Sequence, residues 1–271
     1  MNWYEKEPEI FSPVISTRVR FARNLEDFPF PERASEKDSL LIWDKVSDAL
    51  KDKNMQKIPF EGQENLVKES FVETRIASKN LLQKEKGAGL FLSPDGDVSI
   101  MVGEEDHIRL QVIKTGERIS EALKIATEYA AHLEEKLPLA KREKLGYLTS
   151  CPTNLGSGCR ISVMIHLPAL HALGAIRSLL ENLSGAGYTV RGAFGEGSPV
   201  EEGILQISNQ KRGNLPPEKI AEDFEEVLRK IRVMEAEAGA KILKEQKVEI
   251  RDRVYISDVF VRPLPETSEF E

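Results

Sequence analysis

Cysteine is scarce: Cys151 and Cys159 are the only two in 271 residues. That excludes a disulfide framework and, without paired metal-ligand spacing, a zinc site, so reduced thiols are expected. Long apolar runs are missing as well. No stretch approaches the roughly 20 apolar residues that span a bilayer, and Met1 to Pro13, with Glu5, Glu7 and Glu9 against Lys6, lacks the basic-then-apolar order of a signal peptide. A cytoplasmic location with no membrane partner is expected. Nor is there an excess of positive charge. The 38 Lys and Arg face 45 Asp and Glu, a formal net charge of −7, so no overall field favours nucleic acid or anionic lipid. A polyanionic ligand has to be held by a local basic cluster. Internal repeats and low-complexity blocks are absent, which sets aside fibrous and solenoid classes. What remains is 40% hydrophobic and 31% charged, with 18 Gly and 14 Pro spread evenly: a globular chain, long enough to bury a sizeable core and read as one domain.

The apolar pattern marks the elements. After Ser35, a residue type that caps helices, Leu40, Trp43, Val46 and Leu50 recur at spacings of three or four and predict a helix. Two apolar runs between 88 and 102 flank a turn sequence, Ser93 to Asp97, and predict a hairpin. Ile119, Leu123, Ala126, Ala130, Leu133 and Leu137 predict a second helix stopped by Pro138; Leu170, Leu173, Ile176, Leu180 and Leu183 predict a third that runs to Gly185. A fourth, long and charged, is predicted after Pro216 and Pro217, with Ile220, Phe224, Val227 and Ile231 on one face. Short strands are expected at about 161–166, 188–194, 203–208 and 254–261. Hairpins with intervening helices give an α+β class with a largely antiparallel sheet.

Four polar segments carry more chemistry than turns need. In Ser16 to Asn24, Arg18 and Arg20 alternate with apolar residues and point to one face of a strand, where two guanidinium forks suit a phosphate. Gly103 to Arg109 places three successive acids, Glu104, Glu105 and Asp106, beside His107 and Arg109 just after a strand. With no second His or Cys nearby, His107 is expected to be a hydrogen-bonding spacer rather than a metal ligand. Ser150 to Arg160 is a loop of small residues that can approach a ligand closely, with Arg160 at its exit, and it lacks the Gly-Lys-Ser/Thr of a P-loop. Arg191 to Ser198 runs from a strand end into a glycine-rich loop holding Glu196. Taken singly, each is more often a solvated strand or turn, or a buried inert cysteine, than a site.

In order and spacing, the four together resemble the ATP:guanido phosphotransferases, the family of phosphagen kinases and bacterial protein arginine kinases. STRVRFARN, GEEDHIRLQ, SCPTNLGSGCRISVM, RGAFGEGS, ILQISNQ and RDRVYIS, between residues 16 and 257, are similar to that family's motifs. The resemblance implies the phosphagen-kinase catalytic fold, which is glutamine-synthetase-like: an antiparallel sheet of about eight strands flanked by helices, here as a single catalytic domain over 1–271. It implies ATP as cofactor, with Mg²⁺ bound through ATP and no metal held by the protein. Carried over residue by residue, it places ATP against Ser16, Thr17, Arg18, Val19 and Arg20, then Arg109, then Arg160, Ile161, Ser162, Val163 and Met164, and finally Arg191, Gly192, Ala193, Phe194, Gly195 and Glu196. It makes Glu105 and Glu196 the carboxylates that grip the acceptor guanidinium, and Cys151 the thiol beside it. Glu104 and Asp106 are left as structural. The chemistry suits these roles: arginines hold and neutralise a triphosphate, and a guanidinium of pKa about 12.5–13.8 needs a carboxylate to take its proton before its nitrogen attacks.

The sequence departs from the family in places. Where bacterial arginine kinases have a His near adenine, VETRIASKN puts Arg75, whose guanidinium plane also stacks on rings. Cys159 and Ile161 stand where the family usually has other residues. The short stretches flanking the motifs lead us to expect neither the N-terminal helical domain of phosphagen kinases nor the C-terminal dimerisation domain of the arginine kinases. The first expectation points to arginine side chains of proteins as acceptor, ahead of a free guanidino metabolite such as arginine and of a non-catalytic nucleotide- or phosphoarginine-binding module. By resemblance, the expected partners are protein substrates with exposed arginines, an activating adaptor and a protease-associated chaperone, with no nucleic acid.

Overall fold

Alternating and helical periods resolve into one large sheet with helices packed behind it. The computed structural model describes residues 3–6, 12–192, 203–210 and 215–245. In chain order its elements are β1 (Val14–Arg23), α1 (Glu36–Ala49), β2 (Gln56–Pro59), α2 (Asn65–Glu73), α3 (Lys79–Leu82), β3 (Gly89–Leu92), β4 (Val98–Val102), β5 (Ile108–Thr115), α4 (Ile119–Lys136), β6 (Lys141–Arg142), β7 (Gly146–Tyr147), β8 (Cys159–His166), α5 (Pro168–Ala172), α6 (Ile176–Gly185), β9 (Tyr188–Gly192), β10 (Ile204–Asn209) and α7 (Pro217–Glu245).

Eight strands form a sheet in the order β2-β3-β4-β5-β1-β8-β10-β9, and every neighbouring pair is antiparallel. The expected hairpin is β3 and β4, joined through the Ser93–Asp97 turn. Strand β1 lies near the centre, between β5 and β8, so side chains on its two faces meet very different surroundings. On one face Val19 and Phe21 enter the core with Leu110, Val112, Ile161, Val163 and Ile207. Helix α4 covers β1 and β5 there, while α7 packs on β8 and α6 on β9. The expected stripe of α4 is buried throughout, and α7 buries Ile220, Phe224, Leu228 and Ile231. Each large apolar side chain buried this way contributes about 1.5–3 kcal/mol.

Two expectations are corrected. Helix α1 begins as read, with Ser35 and Asp38 forming a capping box, but its buried stripe is Ile42, Trp43, Val46 and Ala49, and Leu40 is 39% exposed. The run from Leu170 to Leu183 is two helices. Gly174, at φ +67, closes α5 by donating its N–H to the His171 carbonyl (2.9 Å), and Ala175 donates to Leu170 (2.9 Å). The chain turns there because a left-handed glycine ends a helix whatever apolar spacing runs through it. The strand expected at 254–261 and the last two residues of the one expected at 188–194 lie outside the described residues.

Candidate active site

The period of two that buries Val19 turns Ser16, Arg18, Arg20 and Ala22 to the other face of β1. Antiparallel register sets the neighbours. Arg20 lies opposite Gln111 on β5 and Arg160 on β8, Arg18 opposite Ile113 and Ser162, and Ala22 opposite Arg109. One strand further, Ser162 pairs with Ser208 and Met164 with Gln206, which in turn pairs with Arg191 on β9. Five guanidiniums from four strands, Arg18, Arg20, Arg109, Arg160 and Arg191, therefore share one face of the sheet. Such a cluster is costly without an anion. Burial first, then the charges of Arg75, Arg109, Arg160 and Arg191, push Arg18 down to about 9. Arg20 is lowered by burial and by Arg18, Arg109 and Arg160, with Glu104 opposing. A guanidinium keeps its charge under such crowding, so the cluster is a ready polyanion site. Neutral side chains hold the forks: Arg160 Nη2 donates to Ser208 Oγ (3.0 Å) and Arg18 Nε to Ser162 Oγ (3.4 Å). The buried Arg20 Nε has no hydrogen-bond partner among the described residues.

The acids after β4 arrange themselves around Arg109. Buried Glu104 accepts Arg109 Nη1 (2.7 Å) and Ser78 Oγ (2.7 Å) on one oxygen and the Glu105 backbone N–H (2.7 Å) on the other. Glu105 accepts Arg109 Nη2 (2.9 Å), yet its side chain stays 36% exposed at the cleft. Burial raises the Glu105 carboxyl above its ordinary value; Arg109 opposes the rise, and Glu104 and Asp106 add to it. Asp106 ties loops together, accepting Asn24 Nδ2 (2.7 Å) and Ser150 N–H (2.7 Å). His107 is a spacer, as expected. Its Nδ1 accepts the Leu25 N–H (3.0 Å), which leaves Nε2 protonated to donate to the Pro29 carbonyl (2.8 Å).

A cleft of about 700 Å³ opens along this face. Arg20, Arg109, Arg160 and Arg191 line it together with Glu105 and Cys151. Cys151 stands at the entry to a short 3₁₀ turn, Pro152–Asn154, with Sγ 2.9 Å from Thr153 Oγ1. Cys159 is its opposite: buried away, with its thiol pushed up to about 12 by that burial. A smaller depression beside the cleft is lined by Ser16, Arg18, Arg75, Ser162, Val163 and Met164, among others, so Arg75 joins the end of the arginine face expected for adenine.

The structure separates the other expected residues by strand parity. Thr17, Val19 and Ile161 are each 0% exposed and Val163 1%, and their side chains belong to the helix-covered side of the sheet. Thr17 Oγ1 donates to the Gly116 carbonyl and accepts the Arg118 N–H there. The alternation that presents the arginines turns these side chains away, so Thr17, Val19 and Ile161 back the site and Val163 borders only the smaller depression. Ala193, Phe194, Gly195 and Glu196 lie outside the described residues.

Three residues that sequence reasoning passed over hold the site's shape. Arg23 stacks on Tyr147 (3.5 Å to the ring centroid) and donates Nη1 to the Ala22 (2.8 Å) and Ser157 (3.0 Å) carbonyls. It thereby pins the Cys151–Gly158 loop against β1. Asn24, fully buried, binds Asp106, Leu148 and His107 at once. Asn209 Oδ1 accepts the Ile161 N–H (2.7 Å) beside the cleft. Arg23 and Asn24 end STRVRFARN and Asn209 sits in ILQISNQ, so the motifs contained them; their partners, distant in sequence, did not show.

Comparison with known proteins agrees with this geometry. The profile of a family described as ATP:guanido phosphotransferase, C-terminal catalytic domain, matches residues 41–238. A protein-arginine kinase of Halothermothrix orenii is 38% identical over 244 residues, 89% of this chain and 70% of the relative. One of Clostridium novyi is 36% identical over 262 residues, 94% of this chain and 76% of the relative. Among solved structures, the substrate-free duplicated taurocyamine kinase from Schistosoma mansoni superposes with a TM-score of 0.71 at 25% identity, over 82% of this chain. The chain spans 33% of that duplicated protein. Lombricine kinase, 19% identical, shares the fold with a TM-score of 0.76 over 84% of this chain and 67% of its own.

Proposed function

The chain belongs to the ATP:guanido phosphotransferase family, and from that premise we propose that it is a protein-arginine kinase whose work is done on the arginine face of the sheet. It is an ATP-dependent guanidino phosphotransferase; the acceptor is an arginine side chain in a protein. The observation that carries the reading is the convergence, on one cleft, of four arginines with Glu105 and Cys151.

Phosphoryl transfer asks a protein chiefly for position and charge. Arg18, Arg20, Arg109, Arg160 and Arg191 neutralise the triphosphate of ATP, and Arg20 Nε, without a partner among the described residues, is a donor suited to its oxygens. Mg²⁺, held through the ATP phosphates, would supply further charge neutralisation there. Glu105 orients the acceptor guanidinium and takes its proton, a role that suits a carboxyl raised above its usual range. Arg109 Nη2 also donates to Glu105. Drawing Arg109 toward phosphate loosens that ion pair and frees Glu105 for the acceptor, so nucleotide prepares the second subsite. Cys151 adds a polarisable contact beside the guanidinium, and Glu196 is assigned the second carboxylate. One catalytic domain over 1–271, a cytoplasmic location, and an adaptor and a protease-associated chaperone as partners belong to the same proposal.

The test is incubation with ATP and either a generic protein or free L-arginine in separate tubes, with detection of acid-labile phosphate. Label in the protein tube is expected; label in the arginine tube alone would move the acceptor to a small guanidine.

A further inference from the structure

Beside the acceptor end of the cleft lies a second depression, about 500 Å³, lined by Phe28, Pro29, Phe30, Glu32, Arg33 and Ser150. The mechanism above does not use it. Ser150 borders this depression and the next residue, Cys151, borders the cleft, so consecutive residues of one loop form the wall between them. The wall and floor are held from behind. His107 Nε2 donates to the Pro29 carbonyl (2.8 Å), the Phe28 ring meets the His107 ring edge-on at 6.3 Å, and Asp106 accepts the Ser150 N–H (2.7 Å). Phe28 and Phe30 stay half-buried, while Glu32 and Arg33 are exposed. The rings are therefore the apolar wall and the charges reach solvent. Ser150 Oγ, shielded from solvent, has no hydrogen-bond partner among the described residues.

We propose that this depression is a specificity pocket for the protein substrate, receiving an apolar side chain two residues from the acceptor arginine in an extended segment. The inference rests on the protein-arginine kinase reading and deepens it. In an extended chain, residues i and i+2 face the same way about 6.5–7 Å apart. That spacing straddles the Ser150–Cys151 wall, with arginine entering toward Glu105 and its neighbour resting on Phe28 and Phe30. A charged neighbour loses water against the two rings and gains no buried counter-charge. A free amino acid has no residue to offer the pocket, so the same feature favours proteins over free arginine.

Peptides of one sequence around a single acceptor arginine, carrying Leu, Phe, Glu or Lys two positions before or after it, test this. The wild-type enzyme is expected to favour Leu or Phe over Glu by about tenfold in kcat/KM, and the double variant Phe30→Ala, Ser150→Ala to reduce that preference to about twofold or less. Its ATP affinity should match wild type. Phe30 is chosen because Phe28 also packs on the core, and Phe30→Leu should restore most of the preference. A wild type indifferent to the neighbour, or a preference that survives the double variant, overturns the pocket. A wild type that labels no peptide while phosphorylating free arginine overturns the protein-kinase reading and the pocket with it.

Discussion

Glu105 stands between two demands, an ion pair with Arg109 and a raised affinity for a proton. Glu105→Gln keeps size and hydrogen bonding but removes proton acceptance, so turnover should fall about 10²- to 10⁴-fold with ATP binding largely intact. The acid limb of wild-type kcat/KM should lie above the ordinary carboxylate range, because Glu105 must be deprotonated to act and its carboxyl is raised; the limb should vanish in the Gln variant. Near wild-type turnover by Glu105→Gln would remove it from this role. In the proposed mechanism Cys151 makes contact without a covalent step. Cys151→Ala should slow the reaction yet leave measurable activity, and rapid-quench mass spectrometry should find no phosphocysteine. His107 carries a stability consequence. Burial lowers its pKa from about 6.5, so the unfolded chain binds a proton that the folded chain refuses. Stability held above pH 6.5 should decline as pH falls toward the depressed value. Denaturant midpoints from pH 8 to pH 5 should show a drop that His107→Gln flattens; equal slopes would contradict this.

At the scale of elements, two left-handed glycines separate strain from collision. A Cβ on Gly174 meets nothing within 4 Å, whereas one on Gly158 falls 2.4 Å from Arg23 Nη1 and 2.7 Å from the Ala22 carbonyl oxygen. Gly174→Ala should cost only the backbone term, about 1–2 kcal/mol, with activity unchanged. Gly158→Ala should cost about 1–3 kcal/mol beyond that and lower activity, because Arg23 must release the loop that carries Cys151. Thermal melts and initial rates on both variants separate the two effects; equal losses would deny Gly158 its special place. The same elements mark what the sequence revealed. Period-two alternation in β1 and period-3.6 stripes in α4 and α7 were legible because each buries one face against one partner. Leu173 and Gly174 were not, since apolar spacing ran on through a turn that backbone geometry imposes. Arg23, Asn24 and Asn209 looked like motif decoration because their partners are reached only once β1, β5, β8 and β10 are laid in register.

For the whole molecule, a net charge of −7 coexists with a five-arginine face because the basic residues are gathered by sheet register rather than by sequence. The motifs named the residues; the order β5-β1-β8-β10-β9 puts them side by side. That arrangement leads to one substrate statement: ATP phosphorylates the guanidino group of arginine side chains in proteins. Neutral-pH mass spectrometry of a generic protein incubated with ATP and this enzyme tests it most directly, with free L-arginine assayed in parallel. Phosphate on exposed arginines of the protein, absent with Glu105→Gln and accompanied by little turnover of free L-arginine, is the expected result. Efficient phosphorylation of free arginine or another small guanidine, with no phosphoarginine in the protein, would contradict it.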